Sequence, residues 1–201
     1  MMKQIFRKTE LTESQKRSIS ELRSKLKKGF RRPSFIFTGS GGYGKTFAVR
    51  QLLKTISESV YYNISRDHLN EIFENVSSDK LLNFIKKLDG EYNNTLIVID
   101  ECDPIILQLY QNKELGIFLS TLGRFSSINR NKILIVFSIK EDTDNHNNFN
   151  IPSFNGLLSS YGREKIVVLE FNKDDVEVIA DNCGIMPEPY NNIYEIINKK
   201  L

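Results

Sequence analysis

The stretch SFIFTGSGGYGKTF, residues 34–47, decides how this chain folds. It begins with a short apolar run that predicts a buried strand, continues into a glycine-rich turn and ends at the start of a helical pattern. Gly39, Gly44, Lys45 and Thr46 stand at the spacing of a phosphate-binding loop. The alternative is a glycine-rich strand-to-helix turn with an incidental lysine, and the flanking strand and helix favour nucleotide binding over it.

Each residue type in this loop suits a triphosphate. Glycine tolerates positive φ and lets successive backbone N–H groups approach an anion at a helix N-terminus. We expect Lys45 to reach the β- and γ-phosphates and Thr46 to supply a hydroxyl to Mg²⁺. The predicted nucleotide-binding residues are Gly39, Ser40, Gly41, Gly42, Tyr43, Gly44, Lys45, Thr46 and Phe47.

A second informative stretch is TLIVIDECD, residues 95–103. Its four apolar residues predict a fully buried parallel strand, and ligands of open α/β sheets bind beyond the carboxyl ends of such strands. We therefore expect Asp100 to hold Mg²⁺ through its water shell and Glu101 to act as general base. An ordinary strand followed by a polar turn before Pro104 is the alternative.

Composition fits one α/β domain of ordinary size with a small appendage, since the chain has 201 residues of which 40% are hydrophobic. The sequence contains neither a run of about 18 apolar residues nor a signal-like start. It predicts a protein of the cytoplasm, or of the nucleoid or nucleus if DNA-associated, without a membrane partner. Cys102 and Cys183 are predicted to be structural thiols.

Charge is concentrated near the start of the chain. Residues 1–32 hold eleven Lys and Arg against three Glu, a balance of +8, which leaves −5 for the rest of a chain whose net charge is +3. Thr12 and Gln15 predict a capping box for a helix over 13–28 whose basic side chains face outward. The predicted nucleic-acid contacts are Lys25, Lys27, Lys28, Arg31 and Arg32; the alternative is a solvated helix face.

The two motifs together resemble those of the AAA+ branch of P-loop ATPases, and the resemblance covers most of the chain. It implies an α/β fold with a parallel five-stranded sheet, order 5-1-4-3-2, flanked by helices, with ATP bound against a small C-terminal lid. The implied division is an ATPase domain with a basic N-terminal helix over 1–171 and the lid over 172–201. The DECD sequence and the small size are most similar to replication initiators, helicase loaders and clamp-loader subunits.

The resemblance implies further site residues. A buried strand is predicted over 132–139, and Ser138 near its end is the best match for the polar sensor residue, with Lys140 as second choice. Arg163 lies ahead of the strand predicted over 166–171, where the family carries an arginine finger that acts across a subunit boundary. The alternatives are an ordinary strand end and a solvated arginine. A second sensor arginine is missing from the C-terminal helices, where Lys199 and Lys200 are the available cations.

These observations predict a Mg²⁺-dependent AAA+-type ATPase that acts on or beside nucleic acid, DNA rather than RNA, in a homo- or hetero-oligomer. A switch whose assembly depends on ATP with little turnover is the second interpretation. A small-molecule kinase would need a lid richer in arginine, and a two-motor helicase would need a longer chain. The polar stretch 141–150 predicts a surface loop.

Overall fold

A computed structural model describes residues 11–28, 33–40, 42–64, 75–138, 161–162 and 165–182. Several predictions therefore lie outside the described residues, namely those for Arg31, Arg32, Gly41, Lys140, Arg163, Cys183, the loop 141–150, and the end of the chain with Lys199 and Lys200. Within the described ranges, no helix is both long and apolar enough to cross a membrane.

Eleven helices and strands lie within the described residues. In chain order they are α1 (Glu13–Lys27), β1 (Ser34–Gly39), α2 (Lys45–Leu53), β2 (Ser59–Asn63), α3 (Ser78–Glu91), β3 (Leu96–Asp100), α4 (Asp103–Gln111), α5 (Leu115–Arg124), β4 (Lys132–Val136), β5 (Ile166–Leu169) and α6 (Lys173–Asn182). The predicted capping box of α1 is confirmed, because the Thr12 hydroxyl accepts from the Gln15 N–H and the Gln15 side chain accepts from the Thr12 N–H.

The five strands form one parallel sheet in the order β2-β3-β4-β1-β5. This confirms the α/β fold and the predicted strand order, read from the opposite edge. The first strand of the chain is internal, between β4 and the edge strand β5, so the loop that follows it opens at the carboxyl edge of the sheet. The end of β3 lies two strands away, in register with Asn63 of β2 at Asp100.

Side chains alternate between two apolar layers because successive strand residues point to opposite faces. On β1, Phe35 and Phe37 pack with the apolar faces of α1 and α2, whereas Ile36 packs with α3, α4 and α5. All three side chains are at most 1% exposed. An apolar core on each face of the sheet thus fixes the strands and the loops that follow them. The carboxyl edge is therefore rigid.

Strands β4 and β5 are shorter than the predicted ranges 132–139 and 166–171. Strand β4 ends at Val136, one residue beyond the position opposite Ile99 in β3, and β5 ends at Leu169. Helix α2 ends at Leu53, since the Thr55 hydroxyl donates to the Leu52 carbonyl and terminates the last turn.

The outward orientation predicted for the basic residues of α1 is wrong for Lys25. Lys25 is only 15% exposed; its ammonium pairs with Glu21 at 3.1 Å and donates to the Ile166 carbonyl of β5 at 2.9 Å. Arg23 is half-buried, and its guanidinium donates to the Thr55 hydroxyl at 3.0 Å in a contact exposed to solvent. Lys27 and Lys28 are exposed.

Candidate nucleotide site

Two glycines of the loop have positive φ and lie close to neighbouring segments. Gly39 has φ of 152°, and a Cβ there would lie 2.3 Å from the Leu169 carbonyl oxygen of β5. Gly44 has φ of 72°, and its Cβ would lie 2.7 Å from Nε2 of Gln15. Backbone therefore passes close to β5 at one end of the loop and to α1 at the other, and this close approach explains the glycines.

Helix α2 begins directly after the loop, and no side chain caps its N-terminus. The N–H groups of its first turn have no intrahelical partners and carry the positive end of the helix dipole, an arrangement that favours an anion. Lys45, the first residue of the helix, is 7% exposed. Its ammonium donates to the carbonyls of Gly39 at 3.1 Å and Ser40 at 2.8 Å, inside the loop.

The charge of Lys45 is opposed by burial and supported by nearby acids. Burial lowers the pKa of its ammonium, and the negative charges of Asp103, Asp100 and Glu101 act in the opposite direction; the net shift is downward. In this partly desolvated loop the Lys45 ammonium donates to two neutral carbonyls. A hydrogen bond to a phosphate oxygen would be stronger than either, because it joins two opposite charges.

The acids at the end of β3 reach the same place. The Thr46 hydroxyl lies 3.3 Å from Oε1 of Glu101, although the two residues are far apart in sequence. Glu101 has φ of 60°, a left-handed conformation that is uncommon for a residue with a side chain. This turn directs the carboxylate from the strand end toward α2. Conformational strain of this kind clusters at functional sites, and here it accompanies a direct contact between the two motifs.

Asp100 is held from two sides. Its Oδ1 accepts the backbone N–H of Glu101 at 2.8 Å, and its Oδ2 accepts the Tyr61 hydroxyl of β2 at 2.7 Å. The guanidinium of Arg50 lies over the Tyr61 ring at 5.3 Å. Burial and the bond to Asp100 raise the pKa of Tyr61 to about 12, so this hydroxyl keeps its proton and remains a donor.

The predicted sensor residue Ser138 follows β4 on the same edge. Its backbone N–H donates to Oδ1 of Asp103 at 2.8 Å. Asp103 begins α4 and is the first of the acids whose charge opposes the downward shift in the pKa of Lys45. The structure thus links the ends of β3 and β4 through Asp103, a residue that the sequence analysis read only as part of a turn.

A shared carboxylate joins α1 and α6 beside the loop. Asp175 exchanges capping hydrogen bonds with Asn172 at the start of α6, both at 2.9 Å. The same carboxylate accepts the Ser14 N–H at 3.1 Å and the Ser14 hydroxyl at 2.5 Å in the first turn of α1. Asp175 is 2% exposed, so one buried anion neutralises the N-termini of two helices.

The first turn of α1 also contacts the loop itself. Nε2 of Gln15 donates to the Tyr43 carbonyl at 3.0 Å, while its Oε1 completes the capping box. The Tyr43 ring stacks on Phe171, with centroids 4.4 Å apart and planes 10° apart. Through Gln15 and Tyr43, the start of α1 and the segment before α6 therefore both pack against the phosphate-binding loop.

A divalent cation fits the donor chemistry of this edge. Mg²⁺ takes oxygen ligands, prefers one or two carboxylates and keeps several waters. Thr46, Asp100 and Glu101 offer a hydroxyl and two carboxylates there. Within the described ranges no three His, Cys, Asp or Glu side chains cluster as a metal cage. The residues present therefore suit a cation held partly by water and phosphate.

Most predicted site residues lie together. The described residues of the loop, its lysine and threonine, and the two acids of β3 meet at the carboxyl edge, with Ser138 close by. The sequence analysis missed Tyr61, Asp103, Gln15 as a loop contact and Asp175. For Asp175 a signal existed: Asn172 and Asp175 have the three-residue spacing of a helix-capping pair. Tyr61 could not be found, because its role depends on strand register.

This loop follows an internal strand of a parallel sheet and contacts the paired acids at the end of β3, two strands away. This arrangement defines a P-loop nucleotide-binding protein. Residues 35–147, more than half of the chain, match the ATPase family associated with various cellular activities (AAA). The chain belongs to this family. No curated protein matches it.

Solved structures that match the chain share little sequence with it. One is the replication initiator DnaA bound to AMPPCP and single-stranded DNA, with a TM-score of 0.51 and 15% identity over 94% of this chain. The others are PCH-2 from C. elegans (TM-score 0.41, 17% identity, 77% of this chain) and the DnaC helicase loader (TM-score 0.40, 15% identity, 80% of this chain and 92% of that one). The chain spans 60% of the DnaA structure and 42% of PCH-2.

Proposed function

We propose that this protein is a Mg²⁺-dependent ATPase that hydrolyses ATP at the carboxyl edge of its sheet. The observation that carries the proposal is the contact between the Thr46 hydroxyl and the Glu101 carboxylate at 3.3 Å. It brings the phosphate-binding loop and the acids of β3 within one hydrogen bond of each other. A water beside a phosphate held by the loop would therefore lie within reach of a carboxylate base.

Each residue has a distinct role in the proposed reaction. The N–H groups of the loop and of the first turn of α2 bind phosphate oxygens, and Lys45 neutralises the β- and γ-phosphates. Thr46 and Asp100 hold Mg²⁺, which supplies charge neutralisation and positions the phosphates. Glu101 accepts the proton of the attacking water. Ser138, next to the acids, orients the γ-phosphate or the water.

Action on or beside nucleic acid, with DNA favoured over RNA, is part of the proposal. Its support is the basic charge of residues 1–32 and the exposure of Lys27 and Lys28 in α1. That the DnaA structure of similar fold holds single-stranded DNA is consistent with it. We further propose that residues 172–201 form a lid, of which α6 is docked on α1 through Asp175 and Ser14.

Replacement of the general base tests the hydrolysis directly. Glu101→Gln keeps the shape of the side chain but cannot accept a proton at neutral pH, so the hydrolysis rate should fall by about 100-fold or more while ATP affinity is retained. Glu58→Gln is the matched control, because Glu58 is exposed and precedes β2 at the opposite edge of the sheet. Equal hydrolysis rates for both variants would overturn the assignment of Glu101.

A switch that assembles on ATP with little turnover is the second candidate. It is favoured by the contact from Gln15 to the Tyr43 carbonyl, because this contact joins the loop to α1 and, through Asp175, to α6. Measuring the mass of the assembly with and without ATP, beside the hydrolysis rate, separates the two: the switch predicts a change in mass without turnover.

We propose that Arg163 completes the active site of a neighbouring subunit. Arg163→Ala should bind ATP but not hydrolyse it, and mixing it with Lys45→Ala should restore part of the activity at interfaces with one intact site. No recovery in verified mixed oligomers would exclude action in trans.

A further inference from the structure

A basic groove lies at the amino-terminal edge of the sheet, opposite the nucleotide site. It has a volume of about 520 Å³ and follows the starts of β2, β3 and β4. Its lining includes the apolar side chains of Leu26, Ile56 and Leu96 together with hydroxyl and amide side chains. None of these residues takes part in the proposed hydrolysis, so the groove needs an explanation of its own.

The charges around this groove are almost all positive. Arg23, Lys27, Arg130 and Lys132 line it, against a single acid, Glu58. None of the four cations forms an ion pair with an acid of the described ranges, whereas Lys16 and Lys25 do. Four cations from α1 and from the start of β4 thus converge on one groove. Their mutual repulsion favours an anionic partner that would relieve it.

The loops that carry these cations are fixed by hydrogen bonds. The Asn94 N–H donates to the Asn129 carbonyl at 2.8 Å, and the Asn131 side chain accepts from the Thr95 N–H at 2.9 Å. The Asn131 amide is fully buried and also donates to the carbonyls of Asp89 and Tyr92. The turn before β4 is therefore a preorganised support for the residues beside it.

Arg130 lies on this support in an uncommon conformation. Its φ is 59°, in the left-handed region that a long side chain rarely adopts, and its side chain is exposed beside the groove. Neighbouring Asn94, across the interlocked loops, has φ of 51°. The surrounding hydrogen bonds hold this strained turn in place, as is common at binding sites.

A second groove of about 560 Å³ lies on the other side of the same turn. Lys86 and Arg124 line it, and its acid, Asp89, is buried with its carboxylate bound to Ser127 and Asn131. Ile128, which also lines this second groove, is 92% exposed. Basic residues line both grooves, so the positively charged surface is longer than a small anion would occupy.

We propose that this amino-terminal edge, comprising the two grooves and the exposed Ile128, binds the phosphodiester backbone of a nucleic acid. A nucleic acid carries a regular series of negative charges that cations without an acidic partner can neutralise, with release of counterions. The Ile128 side chain offers apolar contact to an unstacked base. The inference rests on the nucleic-acid part of the proposed function and places the contact on Arg23, Lys27, Arg130 and Lys132. Lys25 is excluded, because it is bound to β5.

Paired alanine variants test the surface in the full chain. Arg130→Ala with Lys132→Ala removes two groove cations, and Lys16→Ala with Arg17→Ala removes two exposed cations of α1 outside it. The probe is a labelled oligothymidylate of about 20 nucleotides, longer than typical single-strand sites of about 4–16. Fluorescence anisotropy is measured between about 50 and about 200 mM salt. A duplex of equal length and poly-glutamate serve as further ligands.

The groove variant should bind the oligonucleotide about tenfold more weakly, and its slope of log K against log salt should fall by about 1.4, the value for two lost single-strand contacts. The control variant should match the intact protein, and both should keep its thermal midpoint and its ATP affinity. Equal oligonucleotide affinity of the two variants would overturn the proposal. Loss of poly-glutamate binding alone would assign the surface to an acidic protein and overturn it equally.

These outcomes are independent of hydrolysis. An inactive ATPase whose oligonucleotide binding depends on the groove would contradict the proposed hydrolysis and leave the groove assignment intact. An active ATPase that binds nucleic acid equally well without Arg130 and Lys132 would contradict the groove assignment alone.

Discussion

The charged groups at the two edges of the sheet differ in whether they have partners. At the carboxyl edge, charged groups are partnered: the Lys45 ammonium with two carbonyls, and the Asp100 carboxylate with the Tyr61 hydroxyl and a backbone N–H. At the amino edge, Arg130 and Lys132 line a groove with no ion pair to any acid of the described residues. The same parallel strands thus end in a fixed polar network on one side and in unpaired cations on the other.

The difference follows from the role that we propose for each edge. Chemistry on a phosphate requires groups held in position before the substrate arrives, because preorganised dipoles need no rearrangement in the transition state. Such groups are buried, and buried charges are stable only when they are partnered. Binding a polyanion needs only exposed positive charge, whose interaction is strong at low salt and screened at high salt. Burial at one edge and exposure at the other therefore predict different responses to mutation.

Lys45→Ala should have the largest effect and should act on the carboxyl edge alone. It removes the point charge directed at the β- and γ-phosphates, at a cost of about 3 kcal/mol, or more than about 100-fold in ATP affinity. Isothermal titration with ATP measures this, and Lys54→Ala is the matched control, since Lys54 is exposed just after α2. Oligonucleotide binding at the amino edge should be unchanged.

A Lys45→Ala protein that still binds ATP at the affinity of the Lys54→Ala control would refute the phosphate-binding loop. Loss of oligonucleotide binding together with ATP binding would contradict the independence of the two edges, and with it the comparison.

Asp175→Asn should destabilise the fold by about 1–2 kcal/mol, because an amide replaces the anion that caps both α1 and α6. Burial alone would raise the pKa of Asp175, but hydrogen bonds from Asn172 and Ser14 outweigh it, and the net pKa is lowered. The stability that Asp175 contributes is therefore present above its unfolded pKa, near 3.8, and is lost as pH falls through the lower folded value.

Urea denaturation at neutral pH and near pH 3 measures this effect. Asp174→Asn, one residue earlier and exposed, is the matched control. The difference in stability between Asp175→Asn and the intact protein should shrink in acid. A difference that is the same at both pH values would show that folding does not lower the pKa of Asp175, and that the two helix N-termini do not depend on its charge.

The sequence was sufficient to predict the features that depend on a local pattern of residues. Apolar runs of three to five residues predicted the buried strands, and the spacing of Gly39, Gly44, Lys45 and Thr46 predicted the loop, because each pattern is local. The order of the strands came from resemblance and not from the residues themselves. It is confirmed by the parallel pairing of β1 with both β4 and β5.

The features that failed or were missed depend on contacts between distant segments. Lys25 has the sequence context of a solvated helix residue, and only the packing of α1 against β5 places its ammonium at the Ile166 carbonyl. Tyr61 meets Asp100 because the register of β2 on β3 sets Tyr61 opposite Val98, two residues before the acid. The basic groove likewise combines α1 with the turn before β4, about a hundred positions apart in the sequence.

Tyr61→Phe should have the smallest effect and should show how much the carboxyl edge depends on a neutral donor. The change removes one hydrogen bond to Asp100, about 1 kcal/mol, so the Mg²⁺ concentration for half-maximal hydrolysis should rise about fivefold while ATP affinity without Mg²⁺ is unchanged. Tyr62→Phe is the control: Tyr62 is the next residue of β2, and its hydroxyl instead pairs with the Tyr92 hydroxyl at 2.7 Å.

Burial and the bond to Asp100 raise the pKa of Tyr61 to about 12. The stability linked to this shift is fully present below about pH 10 and is lost as pH rises through 12, so the effect on Mg²⁺ should be constant between about pH 6 and 9. The same Mg²⁺ requirement in both variants would mean that the backbone N–H of Glu101 alone orients Asp100.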